Sequence, residues 1–177
     1  FVNWSFDGSH IVEFDWHKGH EYVNAKGEKK TGYFRYWAPG RVVEKNGEYY
    51  LYTTFVKPDE NARTYVLKSD RPEGPFLFAG RNSISSHSLD GFDQSCIAPD
   101  IDGEPFVDDD GTAYLFWRRR MAARMTDDWQ HLTGDTVVMS TARQGYSEGP
   151  VMFKRKGIYY YIYTLRGNQN YVNAYMM

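Results

Sequence analysis

Two carboxylates stand out by position: Asp102 and Glu148 each lie nine residues before a glycine, Gly111 and Gly157, that punctuates a strand–turn–strand pattern. A third such glycine, Gly47, has Ala38 nine residues before it, and aligning the three glycines also superposes Tyr50, Tyr114 and Tyr160. Three equivalent positions therefore carry Ala, Asp and Glu. If the repeats surround one cavity, Asp102 and Glu148 face it together. Two carboxylates at one cleft can divide acid and base work on a glycosidic bond, one protonating the leaving oxygen while another activates water or attacks the sugar carbon. Taken singly, Asp102 also reads as a turn residue before Gly103, and Glu148 as the start of a strand before Gly149-Pro150.

The elements that must position these acids are strands. Tyr49-Tyr50-Leu51-Tyr52-Thr53-Thr54, Thr64-Tyr65-Val66-Leu67, Ala113-Tyr114-Leu115-Phe116-Trp117 and Tyr159-Tyr160-Tyr161-Ile162-Tyr163 are rich in aromatic and β-branched residues. Asn46-Gly47, Asp110-Gly111 and Lys156-Gly157 supply hairpin turns, and no stretch sustains a helical apolar period over three turns. The chain is read as all-β. Repeated hairpins of this kind build propellers, whose inner strands line a central channel. Ser69 to Phe76 and Met125 to Trp129 read as outer-strand turns of successive blades. Residues 17–35 read as a long polar loop before a strand beginning near Trp37, and 81–95 as a second insertion.

Composition narrows the partners. Of 177 residues, 18% are aromatic, which favours strands and flat surfaces for sugar rings. A net charge of -2 with interspersed signs leaves no footprint for nucleic acid. No apolar run is long enough to span a bilayer, and Cys96 is alone, so neither an internal disulfide nor a cysteine metal site can form. Arg118-Arg119-Arg120 is read as a solvated strand end, with a substrate contact as the alternative. Asp108-Asp109-Asp110-Gly111 lacks the alternating ligands and distant Glu of a helix-loop-helix calcium site and is read as a hairpin turn. His17 and His20 lack the helix that would aim both at one metal. Nothing in the sequence sets an oligomeric state.

Trp37-Ala38-Pro39 with Asn46-Gly47-Glu48-Tyr49-Tyr50-Leu51-Tyr52, the turn ending in Gly74-Pro75-Phe76, the segment 101–115 beginning Ile101-Asp102-Gly103, and Ser147-Glu148-Gly149-Pro150 resemble glycoside hydrolase family 43. The resemblance covers most of the chain. It implies a five-bladed β-propeller with roughly three blades in residues 1–177, running from the end of the first blade, at Phe1-Val2-Asn3-Trp4, through part of the fourth. It implies inverting hydrolysis of arabinose- or xylose-containing plant polysaccharides or oligosaccharides. Glu148 takes the place of the general acid and Asp102 that of the residue that orients it and modulates its pKa. The general base, an Asp of the first blade, is expected upstream of residue 1. Asp15, Asp90 and Asp93 fall outside the nine-residue register and are read as loop residues. Trp37 is a candidate to stack on a sugar, against a packed inter-blade role, and Arg166 a candidate to reach a substrate hydroxyl or carboxylate. The resemblance implies no required cofactor, allows an axial calcium ion whose ligands the sequence does not identify, and favours a secreted or periplasmic location, although no signal segment is present in this chain. A carbohydrate-binding propeller without catalysis is the rival reading, and a propeller scaffold for protein partners a third.

Overall fold

The computed structural model describes residues 11, 17–80, 92, 95–166 and 170–177. Among the described residues, three larger antiparallel sheets follow one another along the chain, besides a two-stranded ribbon. The first contains β3 (Arg35–Lys45), β4 (Glu48–Val56), β5 (Ala62–Ser69) and β6 (Leu77–Phe78), with β7 (Cys96–Ala98) also pairing to β5. The second runs β8 (Glu104–Val107), β9 (Ala113–Trp117), β10 (Met121–Met125) and β11 (Leu132–Val138), and the third β12 (Val151–Arg155), β13 (Ile158–Arg166) and β14 (Tyr171–Met176). The leading strands β3, β8 and β12 meet one another, which is how successive propeller blades converge on an axis.

Alternation along the second strands welds the sheets together. On β9, Ala113, Leu115 and Trp117 point to a core shared with Tyr50, Tyr52 and Val66 of the first sheet. Phe116 points the other way, into a core shared with Met152, Tyr161 and Tyr163 of the third. A strand buried on both faces reads as a continuous apolar run, and the period of two sends each residue to one neighbour or the other. Each fully buried large side chain contributes about 2 kcal/mol. The outer-strand turns are where the sequence places them, between third and fourth strands. Trp129, from one of them, packs edge-on against Tyr50 at 5.5 Å, and its carbonyl accepts a hydrogen bond from the Tyr52 hydroxyl at 2.7 Å.

Residues 17–35 depart from the expected loop. They contain a hairpin, β1 (His20–Val23) paired with β2 (Lys29–Gly32). Its turn is closed by the Asn24 side-chain oxygen, which accepts from the amides of Lys26 (2.9 Å) and Glu28 (3.0 Å), and by Gly27 at φ 78°. Asn supplies a local acceptor and Gly the left-handed backbone, so a polar stretch without apolar alternation still folds as a ribbon. In the second insertion only Phe92 and Ser95 are described. Phe92 is buried and stacks on Tyr65 at 4.4 Å.

Candidate active site

The register of the three leading hairpins corrects the repeat read from the sequence. Thr54, Arg118 and Thr164 each lie seven residues past their hairpin glycine. Thr54 pairs with Trp37, the Arg118 amide donates to the Ile101 carbonyl at 3.0 Å, and the Thr164 amide donates to the Glu148 carbonyl at 2.9 Å. Glu148 is thus equivalent to Trp37 and Ile101, whereas Asp102 is equivalent to Ala38 and Gly149. Two irregularities produce the offset. The hairpin after β8 holds three loop residues, with the Gly111 amide donating to the Asp108 carbonyl, while the other two hairpins turn in two residues; β3 carries a bulge between Trp37 and Val42. Counting back from the glycines brings Asp102 and Glu148 into line only because these insertions are unequal.

The corrected register has a conformational signature. Ala38, Asp102 and Gly149 all adopt left-handed backbone, at φ 35°, 66° and 65°. For the two non-glycine residues this is uncommon and persists only where the surroundings hold it. All three line one cleft of about 130 Å³ between the leading strands.

Around Asp102 the supports come from two directions. Its amide donates to the Thr54 hydroxyl at 2.9 Å, and the next amide, Gly103, donates to the Thr64 hydroxyl at 3.1 Å, both threonines belonging to the first sheet. Thr64 in turn donates to the Asp100 carbonyl at 2.8 Å. A Cβ on Gly103 would lie 2.2 Å from the Thr64 methyl, so only glycine fits there. The Asp102 carboxylate reaches the third sheet, accepting the Gly149 amide at 3.0 Å. Asp102 therefore grips the peptide that immediately follows Glu148.

Burial pushes the Asp102 carboxyl above its usual range; the Gly149 amide and the Arg118 charge oppose this, and the negative charges of Glu148 and Asp100 add to it. Glu148 is half-buried, and its influence on Asp102 puts the two carboxyls within electrostatic range. Trp37, at the matching place on the first sheet, is 44% exposed, with the Arg35 guanidinium 5.2 Å from its ring centre. It is not a packed inter-blade residue. Arg166 ends β13, exposed, with its amide donating to the Gly145 carbonyl at 2.9 Å, and it lines neither this cleft nor the adjoining cavity described below. Phe1 to Trp4, Asp15, Asp90 and Asp93 lie outside the described residues.

Sequence reasoning missed a second acid here. Glu104, at the start of β8, is buried and accepts from Arg41 Nε at 2.5 Å and the Arg41 amide at 3.3 Å, while Arg41 Nη2 donates to the Met152 carbonyl at 2.8 Å. One guanidinium thereby ties β3, β8 and β12. The partners are 63 residues apart, and the only local hint is the absence of a side chain at Gly40, where a Cβ would meet the Gly103 carbonyl at 2.4 Å.

The family profile of glycosyl hydrolases family 43 matches residues 6–176. The chain belongs to that family. It is 31% identical over 141 residues to a β-D-galactofuranosidase of Aspergillus niger, covering 74% of this chain and 39% of that protein, and 37% identical over 81 residues to xylosidase/arabinosidase 43A of Humicola insolens, covering 46% and 21%. Among solved structures, a glycoside hydrolase superposes with a TM-score of 0.67 at 38% identity, covering 88% of this chain and 36% of that one. An α-L-arabinofuranosidase of Clostridium thermocellum superposes at 0.60 with 26% identity, covering 80% and 46%. The chain thus spans under half the length of these family 43 relatives, and its three sheets are blades of the five-bladed propeller that they share.

The buried carboxylate of the leading strands, Glu104, is neutralised by Arg41, and among the described residues no three His, Cys, Asp or Glu side chains converge as ligands. Asp108 to Gly111 form a hairpin turn whose acids face Lys154, at 2.9 Å from Asp108 and 2.8 Å from Asp109.

Proposed function

We propose that this chain supplies the general acid, Glu148, and its positioning residue, Asp102, to a glycoside hydrolase that cleaves pentose- or galactofuranose-containing glycans with inversion. The observation that carries the reading is the hydrogen bond from the Gly149 amide to Asp102, which couples a buried carboxylate to the backbone of the neighbouring acid. In this scheme the Glu148 proton passes to the glycosidic oxygen as the bond to the anomeric carbon breaks. Asp102 fixes the backbone that carries Glu148 by accepting the Gly149 amide. The exposed Trp37 ring offers a flat apolar surface for a sugar on the adjacent blade.

Water activation falls to a third carboxylate. At the two equivalent places of the first sheet stand Trp37 and Ala38, so that role belongs to neither β3 nor its lead-in. The sugar class rests on the names of the relatives, which act on galactofuranosides, xylosides and arabinosides.

In the complete protein, Glu148→Gln is expected to lower hydrolysis of unactivated glycosides on the order of 10³-fold, with unchanged circular dichroism. Full activity in that variant sinks the assignment. Glycan binding without turnover in the unmodified protein would instead favour a binding propeller.

A further inference from the structure

Beside the cleft, on the other side of Glu148, lies a larger cavity of about 480 Å³. Gly149 lines the cleft and Ser147 lines this cavity, so Glu148 stands between the two. Four arginines are among the residues that line the larger cavity: Arg118, Arg119, Arg120 and Arg143. The basic run expected as a solvated strand end follows β9 as a 3-10 turn with the Arg118 and Arg119 side chains exposed, tied by the Arg118 amide to Ile101, next to Asp102, and by the Met139 amide to the Arg120 carbonyl at 2.7 Å.

The charges do not cancel. Asp100 takes Arg119 Nε at 3.0 Å and Arg118 at 3.7 Å, one carboxylate against two cations. Among the described residues neither Arg120 nor Arg143 has an ion-pair partner. Arg119 and Arg120 are both left-handed, at φ 67° and 64°, two successive conformations that are unfavourable for non-glycine residues. Such strain is retained where a site needs it, and surplus guanidinium groups in a concave site match the planar, two-pronged geometry of a carboxylate.

We propose that this cavity is a subsite for the carboxylate of a uronic acid residue in the glycan, next to the bond that Glu148 acts on. The substrate class is then an acidic glycan whose neutral pentose or galactofuranose units are removed close to a uronate. The proposal rests on the hydrolase reading.

The test compares, in the complete protein, kcat/KM for two oligosaccharides that differ only in a uronic acid residue being free or methyl-esterified. The free acid is expected to be preferred by about tenfold at low salt. High salt and the double substitution Arg120→Gln/Arg143→Gln should each collapse that ratio. Because the ratio is taken within one protein, a general loss of activity does not alter it, and the salt series needs no variant at all. Equal use of acid and ester at low salt, or a preference that survives the double substitution, overturns the subsite. Absence of turnover on every glycoside overturns the hydrolase reading alone; calorimetry with the same two oligosaccharides then decides the subsite, acid-selective binding supporting it and equal binding refuting it.

Discussion

The two ends of β8 hold their carboxylates in opposite ways. Asp102, just before the strand, is buried, gripped by amides and hydroxyls, and has its carboxyl pushed up. Asp108, just after it, accepts from the Tyr159 hydroxyl at 2.6 Å and from Lys154 at 2.9 Å, and its carboxyl is held down at about 2. Both reach the third sheet. One contact leaves a carboxylate in an environment that disfavours its charge; the other satisfies that charge completely. A carboxyl pushed up and a carboxyl held down thus stand at the two ends of a single short strand.

Substitutions at the two ends should separate the same way. Asp102→Asn should cost on the order of 10²-fold or more in kcat, because the positioning charge beside Glu148 is lost. Its melting temperature at neutral pH should stay level or rise, since an amide oxygen still accepts from Gly149 without the burial cost of a charge. A large fall in stability with activity retained would reverse the contrast. Between the two ends lies Glu104, and Arg41→Met should destabilise the fold by about 3 kcal/mol by leaving that carboxylate buried and unpaired. Chemical denaturation measures this.

The smallest effect is expected from Asp108→Asn, a modest loss of melting temperature with kcat unchanged. Its pH dependence has a definite sign. The folded-state pKa lies below the unfolded value, so the contribution of Asp108 is present above the unfolded pKa of about 4 and vanishes as the pH falls through about 2. Asp102 has the reverse sign: its raised folded-state pKa weakens the fold as the pH climbs past the unfolded value. Melting curves of the two variants across acid pH should therefore diverge from the parent in opposite directions.

Much of this was legible in the residues. The strand runs, the hairpin glycines and the outer turns carry strong local signals, and the pairing of Asp102 with Glu148 survives as a neighbourhood. Its register does not, because a three-residue loop after β8 and a bulge in β3 are unequal insertions that counting cannot see. The β1–β2 ribbon was hidden by its polar strands, whose turn depends on a single Asn side chain. Arg41 and Glu104 were invisible because nothing local marks a contact across 63 residues. The basic run after β9 is a strand end as its sequence suggests, but the left-handed backbone of Arg119 and Arg120 leaves no mark on the side-chain sequence.

Asp102 hangs by its amide from Thr54 of the first sheet and by its carboxylate from the Gly149 amide that leads into the third, while itself leading into the second. It is a rivet through three plates, and a rivet reports the first slip between them. Warming that merely loosens the seams would misalign Asp102 against Glu148 while every strand is still intact. Turnover should therefore fade several degrees before the β-sheet signal does, making catalysis a more sensitive gauge of blade slippage than any spectrum of the fold.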